Sequence, residues 1–168
     1  MKLFSIAVAV LLCWPHHLTA QARVNDTERA KQEAEQVMDP LLSIAASLLE
    51  KHGEFYPIGG YLSSDGRFTV AGFHGGSENP TSDEVIRDLR RVFTQTAAKA
   101  GYRAVGLAYD VRVTPPRGSG PTDAVLVELE HANGYRVNVY WPYRRPPNGP
   151  PIFGDAFAVA GTLRTFSP

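Results

Sequence analysis

Between Asp123 and Trp141 two runs of alternating apolar residues flank Ala132-Asn133-Gly134, and no other stretch restricts the fold as much. An Asn-Gly pair between such runs marks a β-hairpin. As a two-residue loop it would set Glu130 against Val137 and Glu128 against Val139. A three-residue loop with Gly134 left-handed shifts the pairing by one. Leu129 then meets Val137, Val127 meets Val139, Val125 meets Trp141 and Glu130 meets Arg136. A slip of one residue carries every side chain to the other face, and only the second register matches both faces. A chain built on this hairpin is committed to an antiparallel sheet with at least one dry face.

The other elements follow from periodicity. Ala104–Val113 alternates, with Val105, Leu107, Tyr109, Val111 and Val113 on one buried face. Phe55–Phe73 reads as a hairpin around Ser64-Asp65-Gly66, with Leu62 opposite Phe68 and Gly60 opposite Val70. Asn25–Lys51 is expected to be helical, with Asn25 and Glu28 as its starting box and Gly53 after its end. Ala30, Ala34, Val37, Met38, Leu41, Ile44, Ala45, Leu48 and Leu49 carry its stripe, while Glu33 belongs to a mostly solvated first half. Pro40 interrupts that stripe without changing its phase, which fits either a kinked helix or two stacked ones. Thr81-Ser82-Asp83-Glu84 is a capping box for a second helix with one stripe of Val85, Ile86, Leu89, Val92, Phe93, Thr96, Ala97 and Ala100, closed by Gly101. Pro115–Pro121 and the proline-rich Pro142–Pro151 read as loops, and the apolar tail from Ile152 either adds a short strand or lies across the domain. The expected fold is α+β, an antiparallel sheet of about five strands with two amphipathic helices packed on one face. This element order resembles that of roadblock and profilin-like domains, at the level of fold alone.

At the N-terminus, Lys2 precedes about a dozen apolar residues, followed by Pro15 and the run Leu18-Thr19-Ala20-Gln21-Ala22. That is the plan of a secretory signal peptide, and the run is too short for the roughly 20 residues a bilayer requires. Cleavage fits after Ala20 or after Ala22, and the small-x-small form of Ala20-Gln21-Ala22 favours the second. Residues 1–22 are thus expected to be a signal and 23–168 one domain, periplasmic or secreted, with no membrane attachment after cleavage. Cys13 follows Leu12 inside the apolar run, not a small residue at its end, so it does not fit a lipid-modification site. It is the chain's single cysteine, so the processed chain has no disulfide and no thiol chemistry. Only Lys2 among the 17 basic residues lies in the signal, which leaves 16 basic against 17 acidic. That balance argues against a nucleic-acid partner and against electrostatic adhesion to membranes.

No motif points to chemistry. His74-Gly75-Gly76-Ser77 is similar to stretches that supply oxyanion-hole amides, but the nucleophile elbow Gly-x-Ser-x-Gly is absent. His52, His74 and His131 stand alone, without metal-ligand spacing, and His131 is expected at the rim of the core. Glu128 and Glu130 read as alternate residues on the wet face of a strand. No catalytic, cofactor-binding or metal-binding residue is expected, and no cofactor. Leu126 and Tyr140 are apolar members of the face that carries Glu128, Glu130, Arg136 and Asn138. With Tyr143 and Arg144 they form a candidate protein interface, since aromatic residues and arginine dominate such surfaces.

Leu48-Leu49-Glu50-Lys51-His52-Gly53-Glu54-Phe55-Tyr56-Pro57, Ala104-Val105-Gly106-Leu107-Ala108-Tyr109-Asp110-Val111 and Val127-Glu128-Leu129-Glu130-His131 carry a further resemblance. They resemble a family of small, uncharacterised bacterial α+β domains, some of them similar to immunity proteins of bacterial toxin systems. The likeness covers most of residues 41–145 and brings no catalytic residues with it. It implies a protein-binding role, and the export signal would place the toxin in the periplasm. The expected function is therefore an exported, non-enzymatic protein-binding domain such as a periplasmic inhibitor or immunity protein. A small-ligand or sensory domain, with a pocket bordered by Ile58-Gly59-Gly60, is the alternative. An enzyme of unrecognised type, built around His74, is the second.

Overall fold

The turn at Asn133-Gly134 sets the geometry of everything around it. A computed structural model describes residues 16–71, 79–118, 120–147 and 149–166, the first seven of them as backbone only. In it the His131 N–H bonds to the Tyr135 carbonyl at 2.9 Å, and Gly134 has φ 94°. The turn therefore has three residues. Leu129 stands opposite Val137, Val127 opposite Val139, Val125 opposite Trp141 and Glu130 opposite Arg136, as the hydrophobic phase requires. The first hairpin behaves alike: Leu62 pairs with Phe68 and Gly60 with Val70.

The elements are α1 (His16–His52), β1 (Ile58–Leu62), β2 (Phe68–Ala71), α2 (Ser82–Ala100), β3 (Ala104–Val113), β4 (Thr122–His131), β5 (Arg136–Arg144), β6 (Ile152–Phe153) and β7 (Phe157–Ala160). One antiparallel sheet runs β2-β1-β3-β4-β5, and β6 and β7 both pair with the outer edge of β5. The fold is α+β with an antiparallel sheet, as expected, and the tail contributes two short strands. Pro142 pairs with Gly154 and Tyr140 with Phe157, so Asp155 and Ala156 together oppose Trp141. That extra residue is a β-bulge separating β6 from β7. The sheet continues through Pro142 instead of ending at Trp141, because the N–H that proline lacks would face the edge piece β6 and not β4.

The helices do not share a face. Val37, Leu41 and Leu49 of α1 cluster with Leu62, Ala104, Ala108, Val125, Val127 and Leu129. Val85, Leu89, Phe93 and Ala97 of α2 cluster with Val105, Leu107 and Leu163. These β3 residues alternate, so α1 covers one side of the sheet and α2 the other. The expectation of one buried face on β3 fails for the same reason: Ala104, Val105, Leu107 and Ala108 are all buried. The small residues make room for α1. A Cβ on Gly106 would lie 2.8 Å from Val37 Cγ1 and 2.9 Å from Leu129 Cδ2.

Helix α1 continues N-terminally past Asn25 to His16, so Asn25 is an interior residue and not a cap. Pro40 lies inside this single helix, where it removes one backbone bond. Glu33 is buried, contrary to its expected solvation. Helix α2 has the expected capping box. The Thr81 N–H donates to Glu84 Oε2 at 2.7 Å, the Glu84 N–H donates to Thr81 Oγ1 at 3.3 Å, and Gly101 closes the helix in the left-handed region. The apolar run Met1–Trp14 with Cys13, and the segment His74–Ser77, lie outside the described residues.

Candidate functional site

The four residues expected to form an interface do not form one surface. Leu126 is 5% exposed, flanked in the sheet by Tyr109 and Tyr140. Tyr143 is 4% exposed and lies on the α1 side, where its hydroxyl donates to Asp110 Oδ1 at 2.9 Å and its ring leans on Phe153. Tyr140 is half-buried on the opposite side, stacked on Phe157 with ring centroids 4.9 Å apart. Arg144 is exposed. Leu126 and Tyr143 are thus core residues, and only the Tyr140 edge and Arg144 remain reachable. Sequence phase assigned the faces correctly. It carried no sign that the tail would return over one of them.

The same return buries two carboxylates. Glu128 is 2% exposed and Glu130 fully buried, where the sequence placed both on a wet face. Glu128 accepts from Arg90 Nη2 of α2 at 2.5 Å and from the Thr162 hydroxyl at 3.1 Å. Burial, with the Glu128 charge beside it, pushes Tyr109 up to about 12. Glu130 accepts from Arg136 Nε at 2.7 Å and from the Thr165 backbone N–H. Asn138 Nδ2 donates to Thr162 Oγ1 at 3.3 Å. Each carboxylate is therefore held by the sheet or α2 on one side and by the tail on the other. Leu163, between the two threonines, fills the apolar cluster under α2.

His131 is buried rather than at the core rim, and both its ring nitrogens are engaged. Nδ1 accepts from the Asn133 N–H at 3.1 Å, so Nε2 carries the proton and meets Glu33 Oε2 at 2.8 Å. Arg103 closes on the same carboxylate through Nη2 and through Nε at 3.0 Å. This cluster ties α1 to the β4–β5 turn and presents no free imidazole nitrogen. Among the described residues, no three His, Cys, Asp or Glu side chains group to hold a metal ion. Nor is any described helix long and apolar enough to cross a membrane.

Two clefts remain. One of about 530 Å³ is walled by Pro115, Pro116, Pro142 and Phe157, with Arg117 and Asp155 at its border. Pro142 and Phe157 lie on the same side of the sheet as Tyr140, and Arg144 follows two residues along that side. The other, of about 600 Å³, lies between the end of α1 and the start of α2, among Leu48, His52, Glu54, Phe55 and Ile58. Ile58 borders it as expected. Gly59 and Gly60 lie instead under Phe93 and Phe68. Comparison of the chain with family models, with curated proteins and with solved structures finds no match.

Proposed function

We propose that this chain is an exported protein-binding domain, an inhibitor or immunity protein, that takes an extended segment of its partner in the proline-walled cleft. The observation that carries this reading is the composition of the cleft. Three prolines and the Tyr140–Phe157 stack make a stiff apolar wall that loses little entropy on binding. Arg117 is exposed at its border, Arg144 is exposed two residues beyond Pro142 on the same side of the sheet, and among the described residues neither has an ion pair. The fitting partner segment carries a large apolar side chain flanked by acidic residues. Export rests on the N-terminal signal pattern, and N-terminal sequencing of the processed protein is expected to begin at Arg23.

Selection from a display library of random peptides tests the binding. The enriched peptides are expected to show the acidic-apolar pattern. Their affinity is expected to fall roughly tenfold or more with Phe157→Ala or Arg144→Ala, about 1.4 kcal/mol, and to weaken with salt. Peptides that bind both variants as tightly as the parent would remove the cleft from consideration. A second reading, a small-ligand domain, draws on the apolar cleft at Leu48, Phe55 and Ile58, whose volume lies within the range of ligand sites. Thermal stabilisation by an apolar ligand, abolished by Leu48→Trp, would favour that reading instead.

A further inference from the structure

We propose that β7 pairs antiparallel with β7 of a second copy, across a two-fold axis at Val159, so that one sheet continues through two molecules. The inference does not rest on the proline-walled cleft, although Phe157, the first residue of β7, borders both. Two separate observations fix which backbone groups of β7 face away from β5 and have no backbone partner among the described residues. The Gly161 N–H bonds to the Arg136 carbonyl of β5 at 3.3 Å, so the main chain of Gly161 turns toward β5. By alternation Val159 and Phe157 also turn inward, and Ala158 and Ala160 turn outward. At the β4–β5 turn, the His131–Tyr135 bond commits the main chains of Val137, Val139 and Trp141 to β4. Asn138 and Tyr140 are then left facing β7, opposite Val159 and Phe157, in agreement with the first assignment.

An outward row of unpaired N–H and C=O groups is a template for another strand, and natural edges protect it with lysine, proline or a bulge. The stretch Phe157-Ala158-Val159-Ala160-Gly161 contains no charged residue and no proline, and the bulge lies before it at Asp155–Ala156. Ala158, Val159 and Ala160 are all exposed, Val159 at 46%.

The stretch is complementary to itself. With the axis at Val159, Ala158 pairs with Ala160 of the second copy and Ala160 with its Ala158. Each pair exchanges both of its N–H···O bonds through the groups left free by β5. Val159 meets its own counterpart as a non-hydrogen-bonded pair, the arrangement that brings side chains closest, and the exposed valine is buried. Phe157 falls opposite Gly161 of the second copy, where the absent side chain gives its ring room. No like charges are opposed anywhere in the pairing.

Light scattering coupled to size exclusion, on the processed protein over a range of concentrations, is expected to show a dimer that dissociates on dilution. Ala158→Pro and Ala160→Pro each remove one outward N–H without touching the β5 ladder and are expected to give monomers. Val159→Lys sets like charges on the axis and is expected to do the same at low salt, with the circular dichroism spectrum unchanged. Should a proline variant fail to fold, Val159→Lys and a cross-linking variant decide. Val159→Cys places two thiols face to face in a chain whose other cysteine is Cys13 of the export signal. Mild oxidation is expected to link the copies through that position. A protein monomeric at every concentration, with no cross-link in Val159→Cys, overturns the proposal. So does a dimer that survives Val159→Lys.

Discussion

Beneath α1, Val37, Leu41 and Leu49 meet Leu62, Val125, Val127 and Leu129, and the contact is almost wholly apolar. Beneath α2 and the tail, Glu128, Glu130, Asn138 and Arg136 share the sheet surface with Leu126 and Tyr140, and most of these are as deeply buried. The first face needs an amphipathic helix at the right phase and hides one carboxylate, Glu33, which His131 and Arg103 pair at the end of the sheet. The second needs a partner for every carboxylate it hides, because a buried unpaired charge costs far more than a buried methyl group gains. Those partners come from Arg90 on α2 and from Thr162 and Thr165 in the tail. The two faces therefore tolerate different damage. On one a smaller side chain leaves a hole. On the other a missing acceptor undoes the attachment of the tail.

The adjacent residues Leu129 and Glu130 point to opposite faces and make the sharpest test. Glu130→Ala takes the acceptor from Arg136 Nε and from the Thr165 N–H, and is expected to cost about 3–5 kcal/mol in urea unfolding. Amide exchange at Thr165 should accelerate in the same variant. A loss under about 1 kcal/mol would mean that Leu163 and the Thr162 contacts hold the tail without Glu130, and that the two faces differ less than described. Leu129→Ala, on the α1 side, is expected to cost about 3 kcal/mol through lost burial and the cavity left behind. Exchange at Thr165 should stay unchanged, which separates the two mechanisms.

The β4–β5 turn decides which residues go to which face, so damage there affects both. Gly134→Val is expected to destabilise by more than about 1 kcal/mol, since a β-branched residue resists φ near 94°. The smallest effect is a titration. Tyr109 is expected to ionise at about 12 in an ultraviolet titration, and lower in Glu128→Gln, which removes the charge but keeps a hydrogen-bonding group. Its folded value lies above the unfolded value of about 10. The stability that this phenol contributes is therefore complete below pH of about 10 and lost as pH rises through the folded value. An ordinary value for Tyr109 would show that its surroundings are wetter than those of Leu126 beside it.

Much of the fold was legible in the residues. Hydrophobic phase predicted both hairpin registers, and Thr81 with Glu84 predicted the start of α2, because these features depend on neighbours a few positions away. The candidate interface was legible only in part. Tyr140 and Arg144 remain accessible, while Leu126 and Tyr143 do not, and Glu33, Glu128 and Glu130 are hidden where charge alone argued for water.

The sequence by itself determined the α+β class, the antiparallel pairing and the side of the sheet on which the residues of β4 and β5 stand. Alternation and turn chemistry are local, and they leave little freedom once Gly134 and Gly66 are in place. Only the tertiary structure decided what covers each side. Whether Glu130 meets water or the Thr165 amide depends on a segment 35 positions away in the chain. Burial of a polar group is a property of two distant segments at once, and its sign is set by whether the second one brings a donor.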